Sequence, residues 1–209
     1  MTVIRVKARL AFQPPWKATS INSGPEKFRA RLMFDPDTDW GKESIKLIRD
    51  TRKAVAKDKW KAKADGILEM NKNDRNKESW FESDYRSQDG EVVAGFEGMY
   101  HLSTLADVMP LIIDKDRTEL SRKDGRPYSG CYVIAQVEIW AQDNDSGKAM
   151  RAGIQGLQFW KDGDAFGGGG KIAKVDDFED LSDQGDEDEA PRSSRRPPVV
   201  ADDDDDDQV

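Results

Sequence analysis

Residues Val3 to Phe12 read VIRVKARLAF. Ile4, Val6, Ala8, Leu10 and Phe12 fall on one side of an extended chain, and Arg5, Lys7 and Arg9 on the other. A pattern of period two over that length makes a strand with one buried face, ending before Pro14-Pro15. KFRARLMFD, Lys27 to Asp35, repeats the arrangement. Phe28, Ala30, Leu32 and Phe34 take one face, and Lys27, Arg29, Arg31 and Met33 the other. If the two strands lie side by side, the basic rows merge into one patch that faces an anionic partner.

The rest of the chain is compatible with a small β domain. Asp35 to Asp39 reads as a turn and helix cap, and a helix is predicted from about Trp40 into the early sixties, with Ile45, Ile48, Thr51 or Arg52, and Val55 as its inner stripe. Residues 66–95 are polar and irregular, with Trp80, Phe81 and Tyr85 set among charges. They form either a mobile loop with exposed aromatics or a flap anchored by buried ones. Further strands are predicted at 96–103, 109–114, 131–141 and 153–161, with GRPYSG (Gly125 to Gly130) and DNDSGK (Asp143 to Lys148) as turns. Several strands, one main helix and glycine-bearing turns indicate a mainly β fold, a small antiparallel barrel. Trp140 is expected to face the core or pack under the helix.

Charge divides the chain. Residues 176–209 hold 15 of the 41 acids and 3 of the 33 bases, whereas residues 1–60 carry 14 bases against 7 acids. The domain is therefore expected to span 1–175. The tail, 176–209, has too few apolar residues to offset the entropy of ordering and is expected to be disordered. No apolar run approaches membrane-span length, and no secretory signal is visible, which points to the cytoplasm. Cys131 is the only cysteine, which excludes an intrachain disulfide, and reads as a small core residue. His101 is the only histidine and reads as structural.

Catalytic and cofactor motifs fail on inspection. A phosphate loop ending at Gly170-Lys171 requires glycine where Ala165 stands, and Ser or Thr where Ile172 stands. A calcium loop from Asp143 requires its glycine one place after Gly147 and a glutamate where Ile154 stands. No metal or cofactor is implied. Asp114, Asp116 and Asp124 are close enough in sequence to suggest a magnesium-dependent nuclease as an alternative, but acids of this kind also cap turns.

Basic residues interleaved with aromatics rise above this background: Trp16-Lys17, Tyr85-Arg86, Tyr100-His101, Arg126-Pro127-Tyr128 and Trp160-Lys161. Single-strand binders need both kinds, cations to follow phosphates and aromatic faces to stack on bases. The backbone candidates are Arg5, Lys7, Arg9, Lys17, Lys27, Arg29, Arg31 and Arg126. The stacking candidates are Trp16, Trp80, Phe81, Tyr85, Tyr100 and Tyr128.

The stretch from Asp114 to Gly170 carries a resemblance in Asp116-Arg117, Asp124-Gly125, Tyr128, Gly130-Cys131-Tyr132-Val133, Trp140-Ala141, Gln158-Phe159, Asp162-Gly163-Asp164 and Phe166-Gly167-Gly168. It resembles a family of phage single-stranded-DNA-binding proteins with an oligonucleotide-binding (OB) barrel, and RARLMFD and GFEGMYHLS match it more loosely. The chain departs from that pattern at His101 and in the low basicity of 104–110. The resemblance implies a non-enzymatic protein that coats exposed strands during phage replication or recombination in the infected host, with little sequence preference. Under that reading the acids Asp202, Asp203, Asp204, Asp205, Asp206 and Asp207 recruit replication or recombination proteins and compete with phosphates for the basic face. The tail ends Asp207-Gln208-Val209, without the terminal aromatic common in such tails. A further alternative is a protein-interaction module whose tail mimics DNA.

Overall fold

The computed structural model describes residues 1–21 and 23–166. The glycine run after Phe166 and the acidic tail lie outside the described residues. In order, the elements are β1 (Thr2–Ala11), β2 (Phe28–Phe34), α1 (Asp39–Trp60), α2 (Ala64–Asn71), β3 (Trp80–Phe81), β4 (Tyr100–Ala106), β5 (Leu111–Ile113), β6 (Tyr132–Asn144) and β7 (Gly147–Lys161). The alternating segments form strands because only a pleated chain buries every second side chain. Val6, Ala8 and Leu10 of β1 are fully buried, as are Leu32 and Phe34 of β2, and along β6 burial alternates residue by residue.

Five strands close a barrel. β1 pairs antiparallel with β6 from Thr2↔Ile139 to Arg9↔Tyr132. β6 turns at Asp145-Ser146 into β7, and β2 pairs with β4 along its whole length. The ring β4-β2-β1-β6-β7 is closed by one parallel contact, Leu105↔Gly153. β3 extends the sheet beside β4, and β5 runs parallel to β7. This is the five-stranded Greek-key barrel of the OB class. The pairings within this ring are antiparallel, as expected, except at its closure. The closure is parallel because β4 and β7, far apart in sequence, meet running in the same direction.

Helix α1 fills a gap in this ring. β1 pairs with β2 only over Arg9–Ala11, which leaves the other edge of its first seven residues without a partner strand. The Ser44 hydroxyl takes both backbone groups of Lys7: it accepts from the N–H at 3.1 Å and donates to the carbonyl at 3.0 Å. The helix starts at Thr38, whose side chain accepts from the Gly41 N–H, and its stripe of Ile45, Ile48, Val55, Ala56 and Trp60 enters the barrel core. The short β1–β2 contact keeps the basic rows apart, so the single patch expected from the sequence does not form.

Residues 66–95 are more ordered than their polarity suggests. They hold the end of α2 and all of β3, and Trp80 and Phe81 are only 3% and 7% exposed. Arg52 of α1 forms a buried ion pair with Glu78, which also accepts the Ser79 and Trp80 N–H groups. Burial raises the pKa of the Glu78 carboxyl, and Arg52 and the two N–H groups oppose that shift. Arg49 grips Glu82 with two 2.6 Å hydrogen bonds. From that anchor residues 82–99 cross the outside of the barrel as a flap. Under it Ala11, Met33 and Phe96 are buried together, with Tyr85, Val92, Val93, Met99 and Phe166 around them. Of the two alternatives, the flap anchored by buried aromatics is the one that forms.

Candidate nucleic-acid interface

The outer face of β1, β6 and β7 is open. Arg5, Lys7 and Arg9 point out from β1, opposite Gln136, Ile134 and Tyr132 of β6. Tyr132 in turn stands opposite Lys161, while Val133 pairs with Phe159, so Trp160 is the extra residue of a β-bulge. A bulge re-aims side chains, and here it leaves both Trp160 and Lys161 on the outer face. Trp40, from the first turn of α1, completes an edge-to-face trio with Tyr132 at 5.6 Å and Trp160 at 6.2 Å. All three rings are half-buried. Their cations are the Lys7 Nζ, 5.2 Å from the Trp160 ring, and the Lys161 Nζ, 4.4 Å from Tyr132 and 4.7 Å from Trp160. Arg5, exposed, continues the row and donates to Gln136.

Arg9 marks the border of this face. Residues 162–166 leave β7 and cross over it as a strap. The Arg9 Nε donates to the Gly130 carbonyl at 2.9 Å, and its Nη2 to the Asp164 carbonyl at 2.6 Å. The guanidinium lies 4.1 Å from the Phe166 ring and 5.7 Å from Tyr132. Gly130, at φ +102°, is needed there, because a Cβ would come within 2.1 Å of the Asp164 oxygen. The Tyr128 hydroxyl meets Asp162 at 2.9 Å and accepts the Gly163 N–H, pinning the strap, and its pKa is raised chiefly by burial. The strap thus brings Phe166 to the edge of the basic face.

The second basic row lies elsewhere and is largely engaged. Lys27 is ion-paired with Asp107, and the Arg29 Nε donates to the Thr19 carbonyl. Arg31 stacks on Tyr85 at 3.7 Å beneath the flap. Arg126 pairs with Asp114 at 3.5 Å, whereas Lys17 is exposed and forms no ion pair among the described residues.

The aromatics expected to stack are distributed unequally. Trp80 packs edge-on to Phe34 and donates its indole N–H to Glu82. Phe81 lies on His101 with ring centroids 4.8 Å apart. Neither presents a face to solvent. Trp16, Tyr100 and Tyr128 are half-buried against the core. Two readings of orientation are corrected. Trp140 lies on the outer face, its ring over Gly153, where the missing side chain leaves room for it. Phe12 does not continue the inner row of β1: φ turns to +59°, and the ring is 45% exposed.

Trp40, Tyr132, Trp160 and Lys161 were missing from the sequence-derived site. Trp160-Lys161 is visible as an aromatic-basic pair, and alternation already sets Tyr132 on the outer side of its strand. The bulge and the approach of Trp40 have no local signature.

The acids proposed for magnesium act as turn caps. Asp114 accepts the Lys115 N–H, Asp116 the Thr118 N–H, and Asp124 the Ser121 N–H. Hydrogen bonds to the backbone and side chains of Thr118 and Ser121 hold Asp116 and Asp124 below the usual carboxylate range. Among the described residues no three His, Cys, Asp or Glu side chains are grouped to hold a metal ion. No described helix is long and apolar enough to cross a membrane. Burial pushes the Cys131 thiol up to about 11 and the His101 imidazole down to about 3, so both stay neutral at ordinary pH.

A family model described as Enterobacter phage Enc34, ssDNA-binding protein, matches residues 1–190. Protein p50 of Acyrthosiphon pisum secondary endosymbiont phage 1 is 37% identical over 176 residues, 83% of this chain and 90% of that protein. Among solved structures, the single-stranded DNA-binding protein from bacteriophage Enc34 in complex with ssDNA is similar with a TM-score of 0.63. The two share 22% identity over 79% of this chain and 89% of that one. A second structure of the Enc34 protein gives 0.60 at 21% identity, over 84% and 88% of the two chains.

Proposed function

The chain belongs to the family of the Enterobacter phage Enc34 single-stranded-DNA-binding protein, and we propose that it coats exposed single strands during phage replication or recombination, in the cytoplasm of the infected host and without catalytic chemistry. One observation carries the choice of surface: the open β1–β6–β7 face joins three half-buried rings, Trp40, Tyr132 and Trp160, to Lys7 and Lys161. Bases stack on ring faces and phosphates follow the cations. Neither contact reads base edges, which is the condition for binding with little sequence preference. Phosphate contacts release counterions, so affinity falls with salt. Asp202 to Asp207 recruit partner proteins and compete for the same cations, favoured by tethering to the same chain.

Fluorescence anisotropy with labelled oligo-dT, a matched duplex and single-stranded RNA tests this. Full-length protein and a chain ending at Val175 are compared across a salt series. The expected result is salt-sensitive binding of the single strand that tightens when the tail is removed. Failure of both chains to bind sinks the reading, and magnesium-dependent degradation of the oligonucleotide replaces it with the nuclease.

A further inference from the structure

We infer that the rim of the flap, where Phe12 stands over Tyr85 and Arg31 beside Arg75, is a second subsite for the same DNA strand and takes one base and its phosphate. The inference rests on the proposed DNA-binding function and extends its surface beyond the open face.

Phe12 is the first observation. A large side chain rarely adopts φ near +59°, and such strain persists only where the surroundings impose it. Here it lifts the ring out of the inner row of β1 and sets it 45% exposed on an aromatic base, 5.8 Å from Tyr85 and 5.7 Å from Phe96. An exposed ring held from below is what a stacking base requires.

The second observation is unneutralised charge. The Arg31 guanidinium lies 3.7 Å from the Tyr85 ring centre and 5.6 Å from that of Phe12, and Arg75 lies 5.1 Å from Tyr85. Arg86 follows in the chain, and Arg75 donates to its carbonyl. Among the described residues none of these three arginines forms an ion pair. The Arg31 Nη1 is buried with no hydrogen-bond partner. A buried guanidinium without an acceptor is costly, and a phosphate oxygen would supply one. Burial, with Arg75 adding to it, lowers the pKa of Arg31, the direction expected of a cation that lacks its anion.

The third observation is continuity. Phe166 touches both surfaces: Arg9 stacks on one side of it, and it packs into the flap cluster. Gly95 of the flap, at φ +87°, has no room for a side chain, because a Cβ would fall 2.3 Å from the Phe166 ring. Phe166 therefore links the edge of the open face, at Arg9, to the flap cluster on which Phe12 packs.

Oligonucleotide length separates the two surfaces. Full-length protein is titrated with dT chains of about 6 and about 16 nucleotides, the range of OB-domain site sizes. Phe12→Asn removes the ring but tolerates the left-handed backbone, and Arg75→Gln changes an exposed side chain. Each is expected to weaken binding of the longer chain about tenfold and leave the shorter unchanged. Equal loss at both lengths, or loss at neither, overturns the subsite. Trp160→Ala, run in parallel, tests the open face: if it weakens both lengths, the underlying reading stands and the flap variants alone decide. If wild-type protein binds neither oligonucleotide, the underlying reading fails and the subsite with it.

Discussion

The outer surfaces of β1 and β2 start from the same sequence pattern and end differently. On β1, Lys7 faces Trp160 across an uncovered sheet. On β2, Arg31 and Met33 lie under a flap, and the cations at the strand start are engaged by Asp107 and the Thr19 carbonyl. The aromatics divide the same way. Trp80 and Phe81 hold the flap down, and Trp40, Tyr132 and Trp160 are left partly open. A basic-aromatic surface is thus an open face or a structural seal with only its rim exposed, according to what lies on top of it.

Breaking the covered side should cost folding stability. Trp80→Ala empties a buried site, and Arg52→Met leaves the Glu78 carboxylate buried without its partner. Each is expected to lower unfolding free energy by about 3–5 kcal/mol in urea titrations, while the protein that remains folded binds DNA normally. His101, in the same region, gives a pH signature. Its pKa falls from 6.5 to about 3, through burial first and then through Arg31 and Arg75. Its contribution is complete above pH 6.5. Below that the unfolded chain binds a proton that the fold refuses, and stability drops by up to about 1.4 kcal/mol per pH unit. Glu78 works in the opposite sense: its raised pKa favours the fold below about 4.5, and that contribution is lost as pH rises. Urea midpoints between pH 7 and pH 4.5 should therefore decline less in His101→Phe than in the wild type.

Variants on the open side should change binding and leave stability nearly intact. Trp160→Ala is expected to weaken oligo-dT binding by about 1–3 kcal/mol, the cost of one lost stack. Arg5→Gln and Lys7→Gln should each reduce the slope of log affinity against log salt by about 0.7, the value for one single-strand phosphate contact. If Trp160→Ala lowers the melting temperature as much as Trp80→Ala, the two sides are not different in kind.

Much of the fold was legible along the chain. Alternation marked β1, β2 and β6, and Thr38 and the Ile45-Ile48 stripe marked α1. Asp145-Ser146 made the hairpin turn, and Arg5 and Lys7 were placed outward correctly. The short β3 was not read as a strand because two residues carry no periodicity, whereas β5 falls within the strand expected at 109–114. Phe12 departed from alternation because the backbone reverses one residue after β1 ends.

The sequence by itself determined which way most side chains of β1 and β2 point, that the body is basic and the tail acidic, and that a small β barrel accommodates the pattern. Those properties follow from the two-residue period of the pleat and from composition, which are local. Tertiary structure decided which outward residues stay uncovered. Trp160 is turned out by a bulge against β6, Trp40 arrives from α1, and Arg31 disappears beneath a flap fastened by Arg52 to Glu78. Each of these depends on contacts between residues distant in the chain, which local periodicity cannot encode.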